Sequence, residues 1–242
     1  HDVVVGESYA EQADICLLHH DLTRLDPESL PAAPEGVPVL NGRVLDISKR
    51  SYSTLRVLPG DDWDGPVIIK SDLNAFGRPE QNRAARPSLL RRGQRRLARL
   101  NWRLAGTLPK RDYPVLQSLR QVPGWVWERG DLLVEKFMPE REGGYFCQRG
   151  YLFFGSAGYG YRLYSSTPTV KTGTMEKFEY LHEVPEDVAA FRDNMGFDFG
   201  KFDYVVHDGR AILLDANKTP SFRGERRSER ILQMARGVED YL

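Results

Sequence analysis

Apolar positions fall into short runs divided by turn-forming residues, the pattern of many short strands with a few helices. Val3 to Gly6 (VVVG) and Asp14 to His20 (DICLLHH) read as strands, and Val39 to Ile47 as a short strand and turn. Leu25 to Val37, rich in Pro, Glu and Ala, reads as loop, and Gly60 to Gly65 as a turn-rich linker. Pro66 to Lys70 (PVIIK) is a buried-type strand ending in lysine, followed by a polar loop with Gly77 that runs from Ser71 to Arg86. Leu89, Leu90, Leu97, Leu100 and Leu104 stand near helical spacing and predict a helix. Tyr113 to Val122 predicts another short element, and Trp125 to Trp127 and Leu132 to Val134 predict strands. Tyr145 to Gly155 and Tyr159 to Tyr164 alternate as antiparallel strands do. Glu186 to Asn194 predicts a helix with Pro185 at its start, and Glu225 to Leu242 a closing helix packed on the body.

Composition narrows the class. At 242 residues the chain can form one large domain or two to three small ones. Its 34 Lys and Arg balance 34 Asp and Glu, so global charge offers no case for nucleic acid or a membrane surface. No apolar run approaches the ~20 residues that span a bilayer. The chain opens on His1, and its first residues lack the pattern of a signal peptide. Cys16 and Cys147 lie in hydrophobic runs without metal-ligand spacing and read as buried free thiols of a reducing cytoplasm. His19, His20, His182 and His207 show no metal spacing, and His207, at a turn, reads as solvated. Ser and Cys nucleophile arrangements are absent.

The chemistry concentrates in Phe202 to Pro220 (FDYVVHDGRAILLDANKTP), two strands meeting at Asp208-Gly209. Alternation puts Asp215 and Asn217 on one face of the second strand. With Asp203 they make a three-oxygen set suited to Mg²⁺, which in turn suits a nucleotide polyphosphate. Asp203 faces Asp215 only if the turn holds about three residues centred on Gly209; a two-residue turn sets Asp203 opposite Leu214. Taken alone, the hairpin reads first as an ordinary one with a solvated acidic edge. Lys70 can aim an ammonium at phosphates from its strand end, Lys49 has a similar standing, and either alone also reads as a solvated charge. Leu132 to Pro139 (LLVEKFMP) brings an apolar strand to Glu135-Lys136-Phe137-Met138. Backbone groups left unpaired there can bond an adenine edge, Phe137 and Met138 can line a flat apolar slot, and Glu142 can accept from ribose hydroxyls.

In this order the pieces resemble the ATP-grasp superfamily, which includes D-alanine:D-alanine ligases, glutathione synthetase and RimK-like ligases. Asp215-Ala216-Asn217-Lys218-Thr219-Pro220 is similar to the family's E-x-N-x-x-P, with Asp where Glu is usual. The resemblance covers Leu45 to Phe222. It implies an α/β fold (α+β in character) with two subdomains clasping ATP between antiparallel sheets, after a small N-terminal α/β unit. The corresponding divisions are 1–60, 61–134 and 135–242. It implies ATP held by Lys49, Lys70, Glu135, Lys136, Phe137, Met138 and Glu142, and Mg²⁺ held by Asp203, Asp215 and Asn217. Arg162, Lys171 and Lys201 are the expected catalytic cations, and Arg149 is expected to bind substrate. Lys201 is also readable as a solvated strand-start lysine. The implied activity is a ligase joining a carboxylate to an amine or other nucleophile through an acyl-phosphate, with small-molecule or peptide substrates, in the cytoplasm. A small-molecule kinase on the same scaffold and a non-catalytic nucleotide-binding module are the alternatives. Arg83, Arg86, Arg91, Arg92, Arg95, Arg96, Arg99 and Arg103 form either a solvated face or a docking surface for an anionic partner. Only Trp102 interleaves them, which disfavours single-stranded nucleic acid.

Overall fold

The computed structural model describes residues 2–83, 89–109, 112–171, 173–221, 225 and 227–242. Arg86, Thr172 and Phe222 lie outside the described residues, as do the side chains of Leu89, Leu90, Arg91, Arg92 and Arg95. A parallel pair, β1 (Cys16–Leu17) and β2 (Val39–Leu40), opens the ordered part, followed by the single turn α1 (Lys49–Tyr52). Four strands make an antiparallel sheet in the order β3-β6-β4-β5: β3 (Arg56–Val57), β4 (Val67–Ser71), β5 (Val115–Leu116) and β6 (Leu132–Lys136). Around it run α2 (Arg78–Arg83), α3 (Leu89–Ala105) and α4 (Gly124–Trp127). The larger antiparallel sheet has the order β10-β9-β8-β11-β12, with β7 (Glu140–Glu142) added to β8. Its strands are β8 (Tyr145–Phe154), β9 (Ala157–Ser165), β10 (Lys177–Leu181), β11 (Phe199–His207) and β12 (Arg210–Asn217). Two further helices, α5 (Glu186–Met195) and α6 (Glu229–Ala235), complete it.

The strands with the strongest apolar patterns form as expected, because each has partners to bury it. Every residue of β4 is buried between β5 and β6. Val67, Ile69 and Val134 form a core under Trp63, Trp102 and Trp125. The larger sheet packs Phe153, Phe202, Tyr204 and Leu213 against Val188 of α5 and against Val44 and Ile47 of the N-terminal unit. Cys16 and Cys147 are buried free thiols. No helix among the described residues is long and apolar enough to cross a membrane.

Other expectations fail for local reasons. Val3, Val4 and Val5 form no strand and are 79–92% exposed, since β-propensity without a partner edge gives no stable ladder. Trp125 to Trp127 is the helical turn α4, not a strand. Pro123 precedes it, Val126 turns into the core, and the Trp125 indole donates to the Arg103 carbonyl at 3.1 Å. The loop after Lys70 holds a 3-10 turn, Asn74–Gly77, and then α2. Helix α3 kinks at Asn101 (φ −149°), whose Oδ1 accepts the N–H groups of Arg103 and Leu104 and caps a fresh turn. It packs through Ala98 and Ala105 and leaves Leu97, Leu100 and Leu104 exposed. The last helix starts at Glu229, not Glu225, and becomes a 3-10 helix at Arg236–Tyr241, with Met234 buried on the sheet.

Lys218, inside the family-like motif, is fully buried and donates to the Val44 carbonyl at 3.2 Å. Burial lowers its pKa to about 8, and Asp46, Asp21 and Glu80 oppose that only in part. The unfolded chain binds the proton more tightly, so this group makes stability rise with pH between about 8 and 10.4. Replacing it, as Lys218→Met, removes that rise, worth roughly 3 kcal/mol by the one-unit equivalence. Urea midpoints at pH 7.5 and 10 for both proteins test this; parallel shifts would contradict it.

Candidate nucleotide-binding cleft

The β11–β12 hairpin turns in two residues, Asp208 and Gly209, with φ of 50° and 77°, and His207 pairs with Arg210. The three-residue turn expected from the sequence is therefore absent. Asp203 still faces Asp215, because the register slips by one between the Tyr204–Leu213 and Asp203–Asp215 pairs. Leu214 is the extra residue of a β-bulge, and it turns Asp215 back onto the Asp203 face. The sequence carries a signal of this: the inward residues Ala211, Leu213 and Ala216 are spaced two and then three apart.

This face of the larger sheet and the end of the smaller one enclose a cleft of about 280 Å³. Asp203, Val205 and Asp215 line one wall, Ile68, Lys70 and Lys136 to Met138 the other, and Lys49 and Lys171 also reach it. Lys49, from α1, pairs with Asp215 at 2.6 Å; burial opposes its charge, but Asp215 outweighs burial and holds it protonated. Lys70 pairs at 2.6 Å with Glu135, both buried. Glu135 thus stands behind Lys70 and orients it, and is not part of the cleft lining. Lys171 pairs with Asp112 at 2.6 Å. Lys201 pairs with Asp203 at 2.9 Å and stays charged against burial. Burial, with Asp215 nearby, pushes the Asp203 carboxyl up against the pull of Lys201.

Other expectations for the site residues are not met. The Lys136 and Phe137 N–H groups donate to the Leu55 and Pro66 carbonyls (2.8 and 2.9 Å), so this strand end is not left unpaired as expected. His207 is not a solvated turn residue: its Nε2 meets the Met138 carbonyl at 2.7 Å. Glu142 sits on the β7 hairpin, side chain 56% exposed, paired with Arg162. Arg149 grips Glu140 at 2.7 and 3.0 Å. Register puts Arg149, Arg162 and Tyr204 on one face of the sheet, and Asp203, Gly150 and Tyr161 on the other. Arg149 and Arg162 are thus not brought together with Lys201. Asn217 accepts the Thr219 N–H at 2.9 Å and lies outside the cleft lining.

Two aromatic residues enter that sequence reasoning missed. Phe76 stacks on Tyr113 with centroids 4.3 Å apart, and both line the cleft. Burial raises the Tyr113 hydroxyl to about 12. Phe76 and its neighbour Ala75 have left-handed backbones (φ 61° and 45°), which no local residue type announces. This loop is tied to the N-terminal unit: the buried Thr23 donates its hydroxyl to Glu80 at 2.6 Å and accepts the Asn74 N–H at 2.7 Å. Asp72, also buried, bonds Arg24 and the Arg50 N–H of α1, fixing the helix that carries Lys49.

The donor set fits Mg²⁺ in one respect that can be read directly: Asp203 Oδ1 is buried without a hydrogen-bond partner and faces Asp215. The two carboxylates are hard oxygen donors of the kind Mg²⁺ takes, with the Asn217 amide two residues on along the same strand, and phosphate oxygens would complete the shell. No group of three or more His, Cys, Asp or Glu among the described residues is placed to hold a metal by itself.

No family model matches the chain, and no curated protein matches it. Solved structures do. The macrocyclase MdnC bound with precursor peptide MdnA from Microcystis aeruginosa MRC is 8% identical, with 73% of this chain and 47% of that one covered at a TM-score of 0.40. D-alanine–D-alanine ligase from Bacillus anthracis complexed with ATP is 12% identical, covering 77% and 53% at 0.37. A RimK domain ATP-grasp protein from Sphaerobacter thermophilus DSM 20745 is 14% identical, covering 94% and 80% at 0.46. The chain spans about half the length of the first two. These superpositions are loose. The chain's own layout is two antiparallel sheets closing on one cleft, with a lysine before the smaller sheet, another on its central strand, and facing acids on the larger.

Proposed function

We propose that the protein is an ATP- and Mg²⁺-dependent ligase that joins a carboxylate to an amine or another nucleophile. The observation that carries this is the convergence, on one cleft, of Lys49, Lys70 and Lys171 with the facing carboxylates of Asp203 and Asp215. Three ammonium groups in an enclosed site suit the polyphosphate of a nucleotide, and Phe137 and Met138 suit its base. Mg²⁺, held by Asp203, Asp215 and Asn217, would neutralise phosphate charge.

The substrate carboxylate attacks the γ-phosphorus and ADP leaves. The amine then attacks the acyl carbon and expels phosphate, which carries away one carboxylate oxygen. Lys70, fixed by Glu135, holds the phosphates. Lys201, paired with Asp203, is the cation assigned to the acyl-phosphate. This chemistry needs positioning and charge neutralisation rather than a protein nucleophile, and the cleft offers the former. Turnover with carboxylates labelled with ¹⁸O tests the reading. Ligation puts one label into free phosphate beside a new amide; a stable phosphorylated product with no free phosphate would make the protein a kinase instead.

A further inference from the structure

One row of residues crosses the larger sheet from the cleft to its edge. Asp215 faces Asp203 on β11, Asp203 faces Gly150 on β8, Gly150 faces Tyr161 on β9, and Tyr161 faces Tyr180 on β10. Directly opposed residues share a face, so the row lies on the face of the candidate reaction centre. Tyr161 lies across Gly150, where a Cβ would stand 2.2 Å from its ring, so glycine is what admits the ring. Lys201 acts on the Tyr161 hydroxyl, holding down a pKa that burial and Asp203 raise to about 12.

Tyr159 and Tyr161 pack partly against Leu152, Phe199 and Met234, and beyond them the aromatic surface opens to solvent. Phe178 stacks on Tyr161 with centroids 5.6 Å apart, and Tyr180 meets Phe178 at 4.6 Å and Tyr159 at 6.0 Å. Phe178 and Tyr180 are 40% and 44% exposed, and the Arg230 guanidinium stacks on Tyr180. Among the described residues, strand β10 pairs only with β9 and is the sheet's edge.

Resting on the ligase reading above, we infer that this row is a subsite for an extended peptide whose reacting end lies at Lys201. From Asp203 to Tyr180 is three strand spacings, about 14 Å, the length of about four extended residues. A free amino acid would leave most of it uncovered. Three of the four rings are tyrosines, rigid and amphipathic, suited to peptide planes and side chains together and ill suited to a bare hydrocarbon chain. The open β10 edge adds main-chain donors and acceptors that a peptide can pair.

The test measures ADP release with Mg·ATP and three probes: a random hexapeptide pool, the twenty free amino acids, and cello-oligosaccharides. The wild-type protein is compared with a Phe178→Ser/Tyr180→Ser variant, whose changes lie on the exposed surface. The expected result is stimulation by the peptide pool alone. The variant should raise its half-saturating concentration at least tenfold, with Mg·ATP affinity by calorimetry unchanged. Equal or greater stimulation by amino acids or oligosaccharides overturns the inference. So does a variant within twofold of wild type, or no stimulation by any probe while Mg·ATP binds. If the wild-type protein does not bind Mg·ATP, the ligase reading fails first and this inference with it.

Discussion

Asp215→Asn and Asp203→Asn should each lower ATP turnover by about 10²–10³-fold, the range for losing one preorganised electrostatic group in an enclosed site. The two substitutions should differ in what else they change. Asp215 is the counter-ion of the buried Lys49, whereas Asp203 has one buried oxygen with no partner. In the wild-type protein Lys49 is held above its ordinary pKa, so its stabilisation is complete below about 10.4 and is lost only at higher pH. Without Asp215, only Tyr52 and Tyr113 oppose the effect of burial on Lys49, and its pKa should fall. The folded variant then binds fewer protons than the unfolded chain, and its stability should rise with pH toward about 10.4. Asp203→Asn should show no such rise from Lys49. Thermal melts from pH 6 to 10 beside turnover assays check both points. Equal pH profiles for the two variants would contradict this division of roles.

Glu135→Ala should cost about 3–5 kcal/mol of stability, because it strands the Lys70 ammonium in a buried site. Removing both charges at once should not. A Lys70→Met/Glu135→Leu protein should be as stable as wild type or more so, since an apolar pair of similar volume needs no desolvation of ions. That double variant should still fail to bind nucleotide. Chemical denaturation and nucleotide titration on the same preparations separate the two effects. A stable double variant with wild-type nucleotide affinity would show that the pair serves the fold alone.

The parts of the fold that were legible in the sequence are those where a local pattern and its tertiary partner agree. Val67 to Lys70, Leu132 to Val134 and the alternating Tyr145–Tyr164 region are strands because both neighbours supply the burial that their apolar residues anticipate. Val3 to Val5 have the right side chains and no partner edge. Trp125 looks like a strand residue because nothing local reveals that the end of α3 captures its indole. Strand β10 spans only five residues and keeps Phe178 and Tyr180 exposed, so its pattern is too short to stand out.

The site was legible in its charges and less so in their pairing. Lys49, Lys70, Lys136, Lys171, Asp203 and Asp215 do meet at one cleft. Glu135 is a buried partner of Lys70 rather than a surface offered to adenine, a distinction that depends on which face of β6 meets β4. Arg149 and Arg162 carry the expected charge, yet strand parity sends them to the opposite face, where Glu140 and Glu142 bind them. The hairpin shows the limit most sharply. Turn length alone gives the wrong register, and a bulge at Leu214 restores the Asp203–Asp215 pair.

Calorimetric titration of the purified protein with Mg·ATP tests the central claim most directly. Saturable one-to-one binding is expected, weakened at least tenfold by Lys70→Met and abolished by Val205→Trp, which fills the cleft beside Asp203. No binding heat at millimolar nucleotide, or binding that Val205→Trp leaves intact, would show that the cleft between the two sheets is not a nucleotide site.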